Sequence, residues 1–167
     1  MLGKATSSRA AWPEQGDAVS GIESALHSLA RCLKQSRLHE FLLAQARVDA
    51  DQAGLAILYV LHIEGGGLRV TDLAEQLRID APAVTRKAQQ LERSGLVSRR
   101  RDTADARATR LQLTPQGRRT ISRFLAARRK WLTSLLAGWP EPEQAEFARL
   151  LRQFTSDIQR QMGELDD

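Results

Sequence analysis

Pro82, Thr85, Arg86 and Gln89 follow one another at helical spacing, which brings a ring, a hydroxyl, a guanidinium and a carboxamide to one face. Arginine can pair with guanine O6 and N7 and glutamine with adenine N6 and N7, each pairing supplying about 1–3 kcal/mol of discrimination. A helix entering a major groove presents its first turns to base edges, so these four residues outline a duplex-reading face. Downstream, Arg99, Arg100, Arg101 and Arg110 offer charges that would grip phosphate, a contact that positions without specifying. Between them lies Arg107, suited to a narrow minor groove, and Asp105 two residues earlier can hold its guanidinium in place.

The charge distribution agrees with that chemistry. Between Thr85 and Lys130 stand 14 Lys or Arg against 3 Asp or Glu, a surplus of +11, whereas the whole 167-residue chain nets +5 and its remainder is therefore acidic. A localised basic region beside an acidic remainder is the footprint of phosphate binding. A non-specific architectural protein, the weaker alternative, would call for a basic surface throughout and an apolar wedge to part the bases.

Periodicity supplies the elements that must hold these residues. Ile22, Leu26, Leu29 and Leu33 make one stripe of a long first helix reaching about Val48. Asp49 and Gln52 resemble a capping box for a buried second helix over 50–63, and Gly65-Gly66-Gly67 reads as a linker before a strand stub at Leu68. Thr71 is the expected N-cap of a short helix over 72–77. Asp80 caps the reading helix, which has Pro82 in its first turn and Gly95 as its stop. Val84, Ala88 and Leu91 form its inward face, and Lys87, beside that face, is expected to pack its methylenes and extend its amine. Thr109, Leu111 and Leu113 alternate as a half-buried strand opposite the arginine run, with a polar tip from Asp102 to Ala106. Thr114 and Pro115 open a further long helix that ends at Gly138, and Phe147, Leu150, Leu151, Phe154 and Ile158 stripe a last one. The fold class is mainly α with a small β wing. Its expected division is a flexible arm over 1–18, terminal helices over 19–48 and 115–162, a helix-turn-helix lobe over 49–114 and a tail over 163–167.

Other chemistries find little support. No apolar run approaches the ~18 residues of a membrane span, no signal-type segment opens the chain, and Cys32 has no second cysteine, so the expected location is cytoplasmic. Cys32 offers a thiol-based redox switch as an alternative form of control, although a lone helical cysteine is more often a small buried hydrophobe. His27, His39 and His62 make no i, i+4 pair, so no metal site is expected, and no cofactor either. An enzyme is not expected, because Cys32 is followed by Leu33 and Lys34 rather than by a base.

Thr71-Asp-Leu-Ala, Val84-Thr-Arg, Leu91-Glu-Arg-Ser-Gly-Leu-Val97, Asp102-x-x-Asp-x-Arg107 and Leu111-x-Leu-Thr-x-x-Gly117, in that order, resemble the MarR family of bacterial winged helix-turn-helix regulators. The resemblance runs from about Ile22 to Ile158, with Thr103 replacing a proline common in the wing. It implies a homodimer interleaved through its first and last helices and two lobes on a near-palindromic double-stranded DNA operator. It also implies a small-molecule effector in the cleft between the dimer helices and the DNA-binding lobe, whose arrival releases a repressor. By residue match the groove-facing contacts would be Thr85, Arg86 and Gln89 and the wing-tip pair Asp105 and Arg107, to which the bottom-up reading adds Pro82, Arg99 and Arg101. Bottom-up, the terminal helices carry more Leu, Phe and Trp than a small lobe can cover, which independently calls for a partner.

Overall fold

The computed structural model of the chain describes residues 17–34, 36–48, 50–102 and 109–165. The N-terminal helical region comprises two helices, α1 (Ala18–Lys34) and α2 (Ser36–Ala46), where sequence periodicity suggested one. α3 (Gln52–Glu64) follows, then β1 (Leu68–Arg69), α4 (Val70–Leu77), α5 (Ala81–Arg93), β2 (Val97–Arg101), β3 (Thr109–Leu113), α6 (Pro115–Leu136) and α7 (Glu141–Leu165). Residues 163–165, expected in a flexible tail, continue the last helix.

Helix starts are set by short carboxylates and hydroxyls that accept orphan N–H groups. Asp51 caps α3 by accepting from the Gly54 N–H at 2.8 Å, so the cap falls two residues after the expected Asp49, itself outside the described residues. In α4 the cap falls earlier than expected: the Arg69 N–H donates to the Asp72 carboxylate at 3.2 Å, and Thr71 becomes a first-turn residue. The Asp72 carboxylate thereby supplies the return bond of a capping box, and the helix starts at Val70. Asp80 and Thr114 cap α5 and α6 as the sequence suggests.

The sheet is antiparallel in the order β1-β3-β2, with Leu68 opposite Leu111 and Val97 opposite Leu113. The triple glycine is more than a linker. Gly65 ends α3, and Gly67, at φ 81°, lets β1 lie against β3, since a Cβ there would stand 2.8 Å from the Leu111 carbonyl oxygen. One apolar cluster joins Leu55, Ile57, Leu58 and Leu61 of α3 to Leu73, Val84, Leu91, Val97, Leu111 and Leu113, and extends to Leu42 of α2 and Ile121 and Phe124 of α6. α3 buries one side only. Tyr59 and Ile63 are exposed, Tyr59 lying under the Arg128 guanidinium at 5.4 Å.

Gly117 fixes how closely α6 meets the turn after α5. A Cβ at this position would collide with the Leu96 backbone carbonyl, which cannot yield as a side chain could. Gly117→Ala is expected to destabilise the fold by about 3 kcal/mol in denaturant unfolding. Gly138→Ala, with open space around it, should stay within about 0.5 kcal/mol of the parent.

Candidate nucleic-acid interface

The face expected to read DNA is the outward side of α5, whose other side is anchored. Val84, Ala88 and Leu91 are buried in the lobe, and helical spacing then turns Pro82, Arg86, Gln89 and Arg93 to solvent. Thr85 is half-buried and its hydroxyl donates to the Ala81 carbonyl at 2.8 Å, so its oxygen is left to act as an acceptor. Arg93 folds back, donating from Nε to the Gln89 carbonyl at 3.3 Å.

Lys87 fulfils the expected snorkelling. Its side chain is mostly buried while its amine reaches Asp51 Oδ2 at 2.5 Å and Gln90 Oε1 at 2.8 Å, tying α5 to the start of α3. The Lys87 hydrogen bond is the main cause holding the Asp51 carboxyl below its ordinary value near 3.8.

The arginines of the hairpin divide by what they touch. Arg99 donates to Glu92 Oε2 at 3.1 Å and so ties β2 to α5. Arg100 and Arg101 are exposed and have no acidic partner among the described residues. Arg110, expected at phosphate, is engaged internally: its Nε donates to Asp102 Oδ2 at 2.9 Å and its Nη1 to the Gly67 carbonyl at 3.1 Å. Arg69 donates to the same Asp102 oxygen at 2.8 Å. The sequence reading placed Asp102 at a polar tip, yet its side chain is 0% exposed and sits between two guanidiniums. The available signal was its place two residues after Arg100, on the strand face that Arg110 also occupies. Asp105, Arg107 and Thr103 lie outside the described residues. Cys32, expected as a small buried hydrophobe, is exposed on α1.

The sheet, the helix-turn-helix pair α4 and α5, and the cationic edge they share define a DNA-binding winged helix. Comparison with known proteins gives the family. The MarR family model matches residues 52–109. The uncharacterised HTH-type transcriptional regulator YdgJ of Bacillus subtilis (strain 168) is 32% identical over 114 residues, 68% of this chain and 69% of its own. The HTH-type transcriptional repressor MdtR of the same organism is 28% identical, over 79% of this chain and 82% of that one. A solved MarR family protein from Bacillus stearothermophilus superposes with a TM-score of 0.74 at 28% identity, covering 84% of this chain and 95% of the other. The chain belongs to the MarR family of transcriptional regulators. No helix among the described residues is long and apolar enough to cross a membrane.

Two variants test the supports of this edge. Asp102→Ala should cost about 2 kcal/mol, less than a fully buried pair would because water reaches both arginines, and should speed amide exchange in β2 and β3. Unchanged exchange there would dismiss the carboxylate as the hairpin's anchor. Lys87→Met should move the Asp51 titration upward in carboxyl NMR. Because the folded pKa is depressed, the pair's contribution is present above about pH 4 and is lost as pH falls through the lowered value.

Proposed function

We propose that the protein is a homodimeric repressor of transcription that binds a near-palindromic double-stranded operator and is released by a small-molecule effector. The observation that carries this reading is the contrast between closed and open apolar surfaces. The lobe buries most of its Leu, Ile and Val, with Ile63 and Ile79 as exceptions, whereas Ile22, Leu29 and Leu33 of α1, Leu135 of α6 and Phe147, Leu150 and Leu151 of α7 remain exposed in the single chain. Stripes on three terminal helices have the form of a surface that a second copy closes. Two-fold pairing would set two α5 helices about one duplex turn apart, ~34 Å, on successive major-groove faces.

In this arrangement Arg86 and Gln89, with Thr85 and Pro82 beside them, read base edges. Arg100 and Arg101 take phosphate, with Arg99 contributing through the part of its guanidinium not facing Glu92. Asp105 and Arg107, from the family resemblance, serve the minor groove. The name of MdtR supports repression as the sign of control. Terminal helices over 19–48 and 115–162 then act as the dimer frame around a lobe over 49–114.

Selection of bound genomic fragments, followed by titration at several salt concentrations, tests the reading. Arg100→Ala should weaken operator and random duplex alike and lower the salt slope by about one unit. Arg86→Ala should cost about 1–3 kcal/mol on operator alone and relax its base preference. A monomer at micromolar concentration in sedimentation, or no salt-sensitive attachment to any fragment, would overturn the proposal.

A further inference from the structure

The basic window divides between two parts of the fold, and the reading edge takes only one. Of its 14 cations, six lie on α6 at Arg118, Arg119, Arg123, Arg128, Arg129 and Lys130, and no acidic residue occurs in that helix. Arg128 is engaged by the Tyr59 ring, and Arg123 and Lys130 border the groove with α2. Gly117, Thr120, Ile121 and Phe124 are buried, so the helical period turns Arg118, Arg119, Ser122 and Arg129 to the opposite side, where all four are exposed.

These charges are not used to hold the helix. Arg118 Nη1 donates to the Leu113 carbonyl at 2.9 Å, which steadies its guanidinium, while Arg119 and Arg129 have no acidic partner among the described residues. A helix that keeps charges for its own stability carries acids three or four residues away, as α7 does with Glu146 beside Arg149 and Asp157 beside Arg160. Arg118 and Arg119 also sit toward the N-terminal, positive end of the helix dipole, where a cation gains nothing. Protein interfaces are carried by aromatic and large apolar anchors, and on α6 the exposed large apolar residues begin only at Leu132. A lipid surface would need the apolar side of the helix, where Ile121 and Phe124 belong to the core.

Nor does this face extend the reading edge. α6 starts at the end of α5 and of the hairpin that lies away from the first turns and the tip. Thr114 is bonded to the Gly95 carbonyl beyond the last turn of α5, and it follows Leu113, which pairs with Val97 at the hairpin base. The 13 residues of α5 place the start of α6 ~20 Å from the first turn of the reading helix.

We propose that the outward face of α6 is a second duplex-binding surface, on which Arg118, Arg119 and Arg129, with Ser122 between them and Arg123 and Lys130 at the edge, grip the phosphate backbone of a DNA segment other than the one under α5. Guanidiniums match phosphate in paired bonds, and a set that lacks an aromatic platform takes the backbone of a duplex rather than the bases of a single strand. From Arg118 to Lys130 the face runs about 18 Å, or about five axial steps of one strand at ~3.4 Å. The protein then holds two stretches of DNA at once. This goes beyond operator reading and does not depend on it.

The test is capture of a second duplex by the full-length protein. An immobilised random-sequence duplex is loaded with protein and washed, and a fluorescent duplex of unrelated sequence is added at several salt concentrations. Salt-sensitive capture is expected, and its absence would overturn the surface. At equal protein loading and with an unaltered melting curve, the double variant Arg119→Gln, Arg129→Gln should capture at least tenfold less and lower the salt slope of capture by about two units. The pair Arg119→Lys, Arg129→Lys, which keeps the charges, should capture within threefold of the parent. Equal capture by the glutamine variant would show that two reading lobes bridge the duplexes without α6, and would also overturn it. Tighter binding of polyglutamate than of duplex, lost in the glutamine variant, would assign the face to an acidic protein instead. Failure to select any preferred genomic fragment, with capture intact, would count against operator reading and not against α6.

Discussion

A carboxylate with no exposure to water holds the reading edge together. Arg69 lies opposite Arg110 across β1 and β3, and Arg110 lies opposite Arg100 across β3 and β2, so three guanidiniums form one row across the sheet. Like charges directly opposed on neighbouring strands repel. Asp102 accepts from the first two through one oxygen and removes that conflict. A buried ion pair of this kind pays in desolvation much of what it gains in attraction, so its value lies in fixing one arrangement. The arrangement reaches past the sheet, because Arg69 is also the cap of α4. Arg69 therefore joins hairpin and helix-turn-helix through two bonds, one from its side chain and one from its backbone.

Around that row the cations of the lobe fall into groups by the acceptors they reach. Lys87, Arg99 and Arg110 reach carboxylates and hold elements together, while Arg93 returns to its own helix. Arg86, Arg100 and Arg101 face outward. The same positive stretch of sequence thus contains structural clamps, an outward-facing cationic edge, and a separate set on α6, of which Arg123 and Lys130 border the groove with α2. Net charge reports their sum and is silent on direction, which only the packing of Val84, Ala88 and Ile121 decides.

Much of this was legible from residue order. Asp80, Pro82 and Gly95 bound α5 because each makes a local choice that needs no distant partner. The alternation of β3 and the Thr114 cap were equally local. The reading failed where two neighbouring residues compete for one role, as with Asp49 against Asp51 and Thr71 against Arg69. It failed also where the partner is far away in sequence: Asp102 meets Arg69 across 33 positions, and Gly67 meets Leu111 across the sheet. The outward placement of Pro82, Arg86 and Gln89 followed from the helical period, whereas the internal engagement of Arg110 could not.

Thr114 stands at the joint between the reading head and the long helix behind it. Its hydroxyl donates to the Gly95 carbonyl at 2.6 Å and accepts from the Gly117 N–H at 3.0 Å, locking the turn after α5 to the first turn of α6. With no slack at that joint, α6 behaves as a rigid crank. Its 22 residues extend about 33 Å, so a tilt of ~10° at the far end swings the head by roughly 6 Å. That arc exceeds the roughly 3.4 Å rise between stacked bases. A change of angle of that size at the far end of α6 would therefore be enough to carry the head out of register with a duplex groove.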